Sequence, residues 1–155
     1  MNKSMKSIIE ADTDKNSLRK YSVDDNNKEK IIQKIVKELE KVEEIEFSFL
    51  HGSFIEEKSF RDIDIAVFFK PNTNIKAHLD ICNKLSIELT RIVEILVDVN
   101  SLNSAPLSYC YYATQGKTLT YKNLEDVYLY KEDIWIKYMD FFPLLKDNFM
   151  DLINT

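Results

Sequence analysis

A chain of 155 residues has the length of one domain, and its 45% hydrophobic content, with nine Phe and eight Tyr, supplies enough apolar volume for a core. Charged residues make up 30%, the formal net charge is -5, and no basic stripe offsets that acidity, which excludes a general nucleic-acid binder but not a nucleotide held through metal. No apolar run approaches the length of a membrane span, and the N-terminus lacks a signal-peptide core. With Cys82 and Cys110 far apart in apolar surroundings and read as buried free thiols, the expectation is a soluble cytoplasmic protein with no membrane contact.

Residues 1–27 are polar, rich in Lys, Asp, Asn and Ser, and carry no sustained period, so they read as an N-terminal arm. Residues 28–155 read as one folded domain. From Lys28 to Lys41 the positions Ile31, Ile32, Ile35, Val36, Leu39 and Val42 recur at helical spacing, and Asp24 or Asp25 can cap the helix. Ile45 to Leu50 alternates, with Ile45, Phe47 and Phe49 on one face, and predicts a first strand ending at Gly52-Ser53. A polar connection follows from Phe54 to Arg61. Asp62 to Phe69 predicts a second, central strand, stopped by Lys70-Pro71-Asn72. Thr73 to Leu89 predicts a helix burying Ile75, Leu79, Cys82, Leu85 and Leu89, with His78 on its outer side. Ile92 to Val99 predicts a third strand that places Glu94 on the same face as Asp98, four residues and about 13 Å away. Ser104-Ala105-Pro106 starts a short helix for which Gly116 is a C-cap. Lys117 to Tyr121 predicts a fourth strand, and a long helical region runs from Leu124 past Pro143, a residue able to kink it.

The chemistry concentrates at His51-Gly52-Ser53 and at Asp62-Ile63-Asp64, nine residues after the serine. Residues i and i+2 of a strand share a face, so Asp62 and Asp64 point together while Ile63 and Ile65 enter a core. Two neighbouring carboxylates repel and call for a cation or a proton. A divalent metal beside a glycine turn that can cradle phosphate points to nucleotide chemistry. Asp98, ending an otherwise apolar strand, is a third acidic candidate. Asp-x-Asp and Gly-Ser are each weak signals; their order, flanked by strand patterns, is much more specific.

The stretch HGSFIEEKSFRDIDI, followed by VDVNSLNSAP, resembles the DNA polymerase beta-like nucleotidyltransferase superfamily. Within it, the chain is most similar to the minimal (MNT) domains that pair with HEPN proteins as antitoxin and toxin. YYATQGKTLTY and YMDFFP resemble the C-terminal half of that group, so the likeness spans residues 28–149. The resemblance implies an α/β fold, a small mixed β-sheet with helices packed mainly on one face. It implies that Asp62, Asp64 and Asp98 are catalytic and hold two Mg2+ ions, with Asp98 rather than Glu94 as the third carboxylate. Gly52 and Ser53 would bind the nucleotide phosphate.

The implied activity is transfer of AMP from ATP to a tyrosine hydroxyl of a partner HEPN toxin. Binding-only neutralisation and transfer to a small-molecule hydroxyl are the alternatives, and a homo-oligomer is left open. A deep polar pocket would favour the small molecule, and an exposed apolar patch near Asp98 a protein acceptor. The spacer between Ser53 and Asp62 departs from the family pattern. It is short, and it carries Ile55-Glu56-Glu57 where many members have Ala-Arg-Gly, so Arg61 or Lys58 would have to replace the missing positive charge.

Overall fold

Strand β4 (Ile63–Phe69) is the centre of the molecule. In the computed structural model, which describes residues 20–154, it pairs on one side with β2 (Ile45–His51), antiparallel, and on the other with β5 (Val97–Ser101), parallel. The strand β6 (Lys117–Tyr121) adds antiparallel to the far side of β2, giving a mixed four-stranded sheet in the order β5-β4-β2-β6. The helices are α1 (Asp25–Leu39), α2 (Ser53–Glu56), α3 (Ile75–Val93), α4 (Leu107–Thr114) and α5 (Leu124–Ile153), and a two-stranded ribbon joins β1 (Tyr21–Ser22) to β3 (Ser59–Phe60). Of the arm expected over 1–27, residues 1–19 lie outside the described residues. The part that is described already pairs with the spacer at β1 and enters α1 at Asp25.

Alternation along β4 divides the core into two layers. Ile63, Ile65, Val67 and Phe69 point to one face with Leu50, Val97 and Val99, and are covered by Ile31, Ile35 and Leu39 of α1 and by Cys82, Leu85, Leu89 and Val93 of α3. Each large apolar side chain buried there contributes about 2 kcal/mol. Phe47, Phe49 and Ala66 lie on the opposite face under Cys110 and Ala113 of α4 and Val127 and Ile134 of α5. The mixed sheet is as expected, but the helices do not pack mainly on one face: α1 and α3 cover one face and α4 and α5 the other, because both faces of β4 and β2 are apolar.

Several local expectations change on contact with packing. Ile45 does not share a face with Phe47. A bulge between them turns Ile45 toward Phe69, while Phe47 sits opposite Phe68 with their rings stacked at 4.8 Å. The helix expected to end at Leu89 runs on to Val93, because Leu85, Leu89 and Val93 continue one buried stripe. Glu94 then closes that helix in the left-handed region, φ 59°, donating its N–H to the Thr90 carbonyl at 2.9 Å. The third strand therefore begins at Val97 rather than Ile92, and Glu94 is not on its face. The buried stripe of α3 is also rotated from the expected one. His78, 5% exposed, lies inside with its ring stacked on Phe69 at 4.3 Å, whereas Ile75 and Leu79 are 72% and 65% exposed. Gly116 follows the C-cap Gln115, and α5 is continuous through Pro143.

Two devices hold the edge strand β5 in place. The Ser86 hydroxyl accepts the Val99 N–H at 3.0 Å and the Thr90 hydroxyl accepts the Val97 N–H at 3.0 Å, so α3 closes part of the open edge. Beyond the strand, the Asn103 amide accepts the Phe69 N–H at 2.9 Å and donates to the Phe69 carbonyl at 3.2 Å. Asn103 thus extends the ladder with a side chain, a physical role for the asparagine of the LNSAP stretch.

Candidate active site

The pairing register sets three polar side chains, two of them candidate site residues, in one row. His51 at the end of β2 stands opposite Asp64, and Asp64 stands beside Asp98 on the parallel neighbour. Adjacent strands are about 4.8 Å apart, so a carboxylate from each of two strands meets at the same level. Asp62 immediately precedes β4 and is half-buried. Its residue i+2 is Asp64, and Ile63 between them is fully buried, as the alternation requires.

The electrostatics show how closely these groups are placed. The Asp64 carboxyl is pushed up from 3.8 to about 6, first by burial and then by the charges of Asp62 and Asp98. Among the described residues no donor reaches it, so the site concentrates negative charge without neutralising it. His51 is shifted below its usual value by burial, against the opposing pull of Glu56, Asp98 and Asp62, which keeps the imidazole neutral at pH 7.

Gly52 makes the turn possible. Its φ of +85° with ψ of -160° is a conformation reserved for glycine, and a Cβ there would sit 2.6 Å from Asp64 Oδ2. The missing side chain leaves the first residues of α2, beginning with Ser53, next to the carboxylates. Lys28 fixes this turn from α1, its Nζ donating to the carbonyls of Phe54 at 2.6 Å and Glu57 at 3.1 Å.

Behind the row lies a second layer of polar groups. Asn100 Nδ2 donates to Asp98 Oδ2 at 3.0 Å. Tyr109 of α4 places its hydroxyl 3.1 Å from His51 Nε2 and its ring edge-on to the imidazole. Burial drives the Tyr109 phenol well above its ordinary range, while a hydrogen bond with Asn100 opposes that shift. Neither Tyr109 nor Asn100 is among the candidates that the sequence singles out. Asn100 was findable as the i+2 neighbour of Asp98 on one strand face. Tyr109 was not, because it arrives from a helix.

Two open cavities flank the carboxylates. The first, about 590 Å3, is lined by Ser53, Asp62, Arg61, Glu57 and Lys20. Lys58 is not among its lining residues, so Arg61 is the one of the two spacer cations that faces this space. The second, about 500 Å3, begins at Asp98, Asn100 and Tyr109 and is rimmed by Ile75 and Leu79. His78 forms part of its wall, and neither ring nitrogen has a hydrogen-bond partner among the described residues.

Among the described residues no three or more acidic, His or Cys side chains are grouped closely enough to hold a metal ion by themselves. The donor set is nevertheless what a hard divalent cation takes, oxygen from carboxylates held close enough to perturb one another. Carboxylate oxygen is the donor type that Mg2+ takes, and a triphosphate would have to supply the remaining ligands.

A model of the family described as polymerase beta, nucleotidyltransferase matches residues 33–126, more than half of the chain. No curated protein matches the chain by sequence. Among solved structures it is similar to a chain of the tri-AMPylated Shewanella oneidensis HEPN toxin in complex with MNT antitoxin, with a TM-score of 0.64 and 22% identity over 81% of this chain and 98% of that one. It is similar to a chain of the toxin–antitoxin complex MntA–HepT, with a TM-score of 0.63 and 21% identity over 81% and 98%. A toxin–antitoxin structure with AMP-PNP gives a TM-score of 0.62 and 22% identity over the same shares. No helix among the described residues is long and apolar enough to cross a membrane.

Proposed function

This chain belongs to the polymerase beta nucleotidyltransferase family, and on that premise we propose that it transfers AMP from ATP to a tyrosine hydroxyl of a partner HEPN toxin and acts as the antitoxin. Asp62, Asp64 and Asp98 would hold two magnesium ions, and Gly52 and Ser53 would take the nucleotide phosphate. When bound, magnesium supplies Lewis-acid neutralisation of the triphosphate and of the attacking oxygen. Ser53 donates its N–H and hydroxyl to phosphate oxygens, and Gly52 lets the backbone approach them. Asp98, bordering the second cavity, receives the proton as the acceptor oxygen bonds to the α-phosphorus. The bond from that phosphorus to the bridging oxygen breaks, and pyrophosphate leaves.

The observation that carries a protein acceptor is the rim beside Asp98. Ile75 and Leu79 stand exposed at the mouth of the cavity that Asp98 opens into. Exposed apolar groups around an open mouth suit another folded surface better than a small polar molecule. The similar complexes, one with an AMPylated HEPN toxin and one with AMP-PNP, agree with that acceptor and donor. A second reading, neutralisation by binding alone, rests on Glu57, whose charge faces the same cavity as Ser53 and Asp62.

Intact-mass analysis of a HEPN partner incubated with this chain, ATP and Mg2+ tests the proposal, with the doubly substituted Asp62→Ala/Asp64→Ala chain as control. AMP-sized mass gains that vanish in the control support transfer. A tight complex with no mass gain supports binding alone and overturns the enzymatic reading.

A further inference from the structure

The short, acidic spacer poses a problem that the fold answers from an unexpected direction. A site for a triphosphate needs cations besides its metal, and residues 55–57 supply Ile-Glu-Glu. The first cavity nevertheless carries two cations, Arg61 at the end of the spacer and Lys20 from the N-terminal arm, beside Ser53 and Asp62. Lys20 lies outside the segment matched by the family model, which starts at residue 33.

The arm is built into the fold next to that lysine. Tyr21 and Ser22 pair antiparallel with Phe60 and Ser59, and the rings of Tyr21 and Phe60 stack at 6.1 Å. Phe60 in turn is buried edge-on to Phe54, their centroids 4.7 Å apart. Val23 enters the main core, and Asp24 caps α1 by accepting the Asn27 N–H at 2.8 Å. Lys20 is therefore delivered to the cavity by a ribbon whose next four residues are all anchored. The charges facing this space are Lys20 and Arg61 against Glu57 and Asp62, and in the function proposed above Asp62 is engaged with the metal.

We propose that Lys20 and Arg61 form a clamp for the polyphosphate tail of the nucleotide, with the N-terminal arm supplying a cation that the spacer lacks. The clamp rests on the nucleotidyltransferase reading of the site. It reads the β- and γ-phosphates, so it favours a nucleoside triphosphate over a monophosphate.

Calorimetric titration of the full chain with ATP and with AMP, both in Mg2+, tests it. Lys20→Ala and Arg61→Ala should each weaken ATP binding by about three- to tenfold, the range of a charge-assisted bond to phosphate at a partly solvated site. AMP affinity should move less than twofold, and the ATP deficit should shrink as salt is raised. Lys58→Ala, outside the cavity, should bind ATP as wild type does, and circular dichroism should show every variant folded. ATP affinity unchanged in Lys20→Ala, equal losses for ATP and AMP, or an equal loss in Lys58→Ala would each overturn the clamp. Failure of the wild-type chain to bind ATP would overturn both the clamp and the transfer reading. Arm-dependent ATP binding without AMP transfer to a partner would leave the clamp standing and remove only the transfer.

Discussion

Replacing Asp64 with Asn should make the metal-free protein more stable while abolishing AMP transfer. The carboxyl is raised from 3.8 to about 6 by burial and by Asp62 and Asp98. A rise of about two pH units, at about 1.4 kcal/mol each, means that ionising Asp64 in the folded chain costs about 3 kcal/mol relative to the unfolded chain. Asp64 is only half-buried, and solvent screening reduces that figure, so about 1.5 kcal/mol is expected. The folded state holds this proton more tightly than the unfolded state. Stability from Asp64 therefore falls as pH rises from about 4 to 6, and the full penalty persists above that window. Asparagine keeps the shape without the charge. In metal-free buffer at pH 7.5, Asp64→Asn should melt about 3–6 °C above wild type. The gap should narrow toward pH 4.5, and millimolar Mg2+ should close it by stabilising wild type alone. An Asp64→Asn variant that melts at or below wild type at pH 7.5, or a gap that does not change with pH, would refute the reasoning.

Other substitutions probe the frame around the site. Gly52→Ala should cost about 2 kcal/mol from its backbone conformation alone; the Asp64 carboxylate can swing from the new Cβ, so transfer activity should fall further than thermal stability suggests. Gly116→Ala would bring a Cβ to 2.1 Å from the Leu50 carbonyl; no side-chain movement relieves a backbone clash, and chemical denaturation should show a loss of about 3 kcal/mol. Glu94→Gly relieves a left-handed non-glycine residue and should stabilise by about 1 kcal/mol in the same assay, with activity unchanged. The depressed His51 pKa makes its contribution complete above its unfolded value of 6.5 and lost as pH falls through the folded value. His51→Gln should therefore lose less melting temperature between pH 7 and 5 than wild type does.

Much of this architecture was readable because single strands carry their own geometry. Ile63 and Ile65 go inward and Asp62 and Asp64 away from them because side chains alternate, whatever lies around the strand. The order of Gly-Ser, Asp-x-Asp and a later strand Asp then pointed to three carboxylates, and the register places two of them, Asp64 and Asp98, side by side. What escaped was decided between elements. The segment ILVDV and the residues before it alternate well enough for a strand and repeat well enough for a helix; the outcome turned on whether Leu89 and Val93 could be covered by the sheet, which is tertiary information. The rotated face of α3 followed from the same packing. His78 went in against Phe69, and Ile75 and Leu79, read as core, came out beside Asp98. The docked arm was least legible of all. A stretch whose composition resembles a solvated tail is anchored through Tyr21, Val23 and Asp24, three residues too few to produce a period. A lysine without local signal thereby becomes the partner of an arginine some forty positions away, and the short acidic spacer, which looked like a weakness of the site, is the segment against which that arm is built.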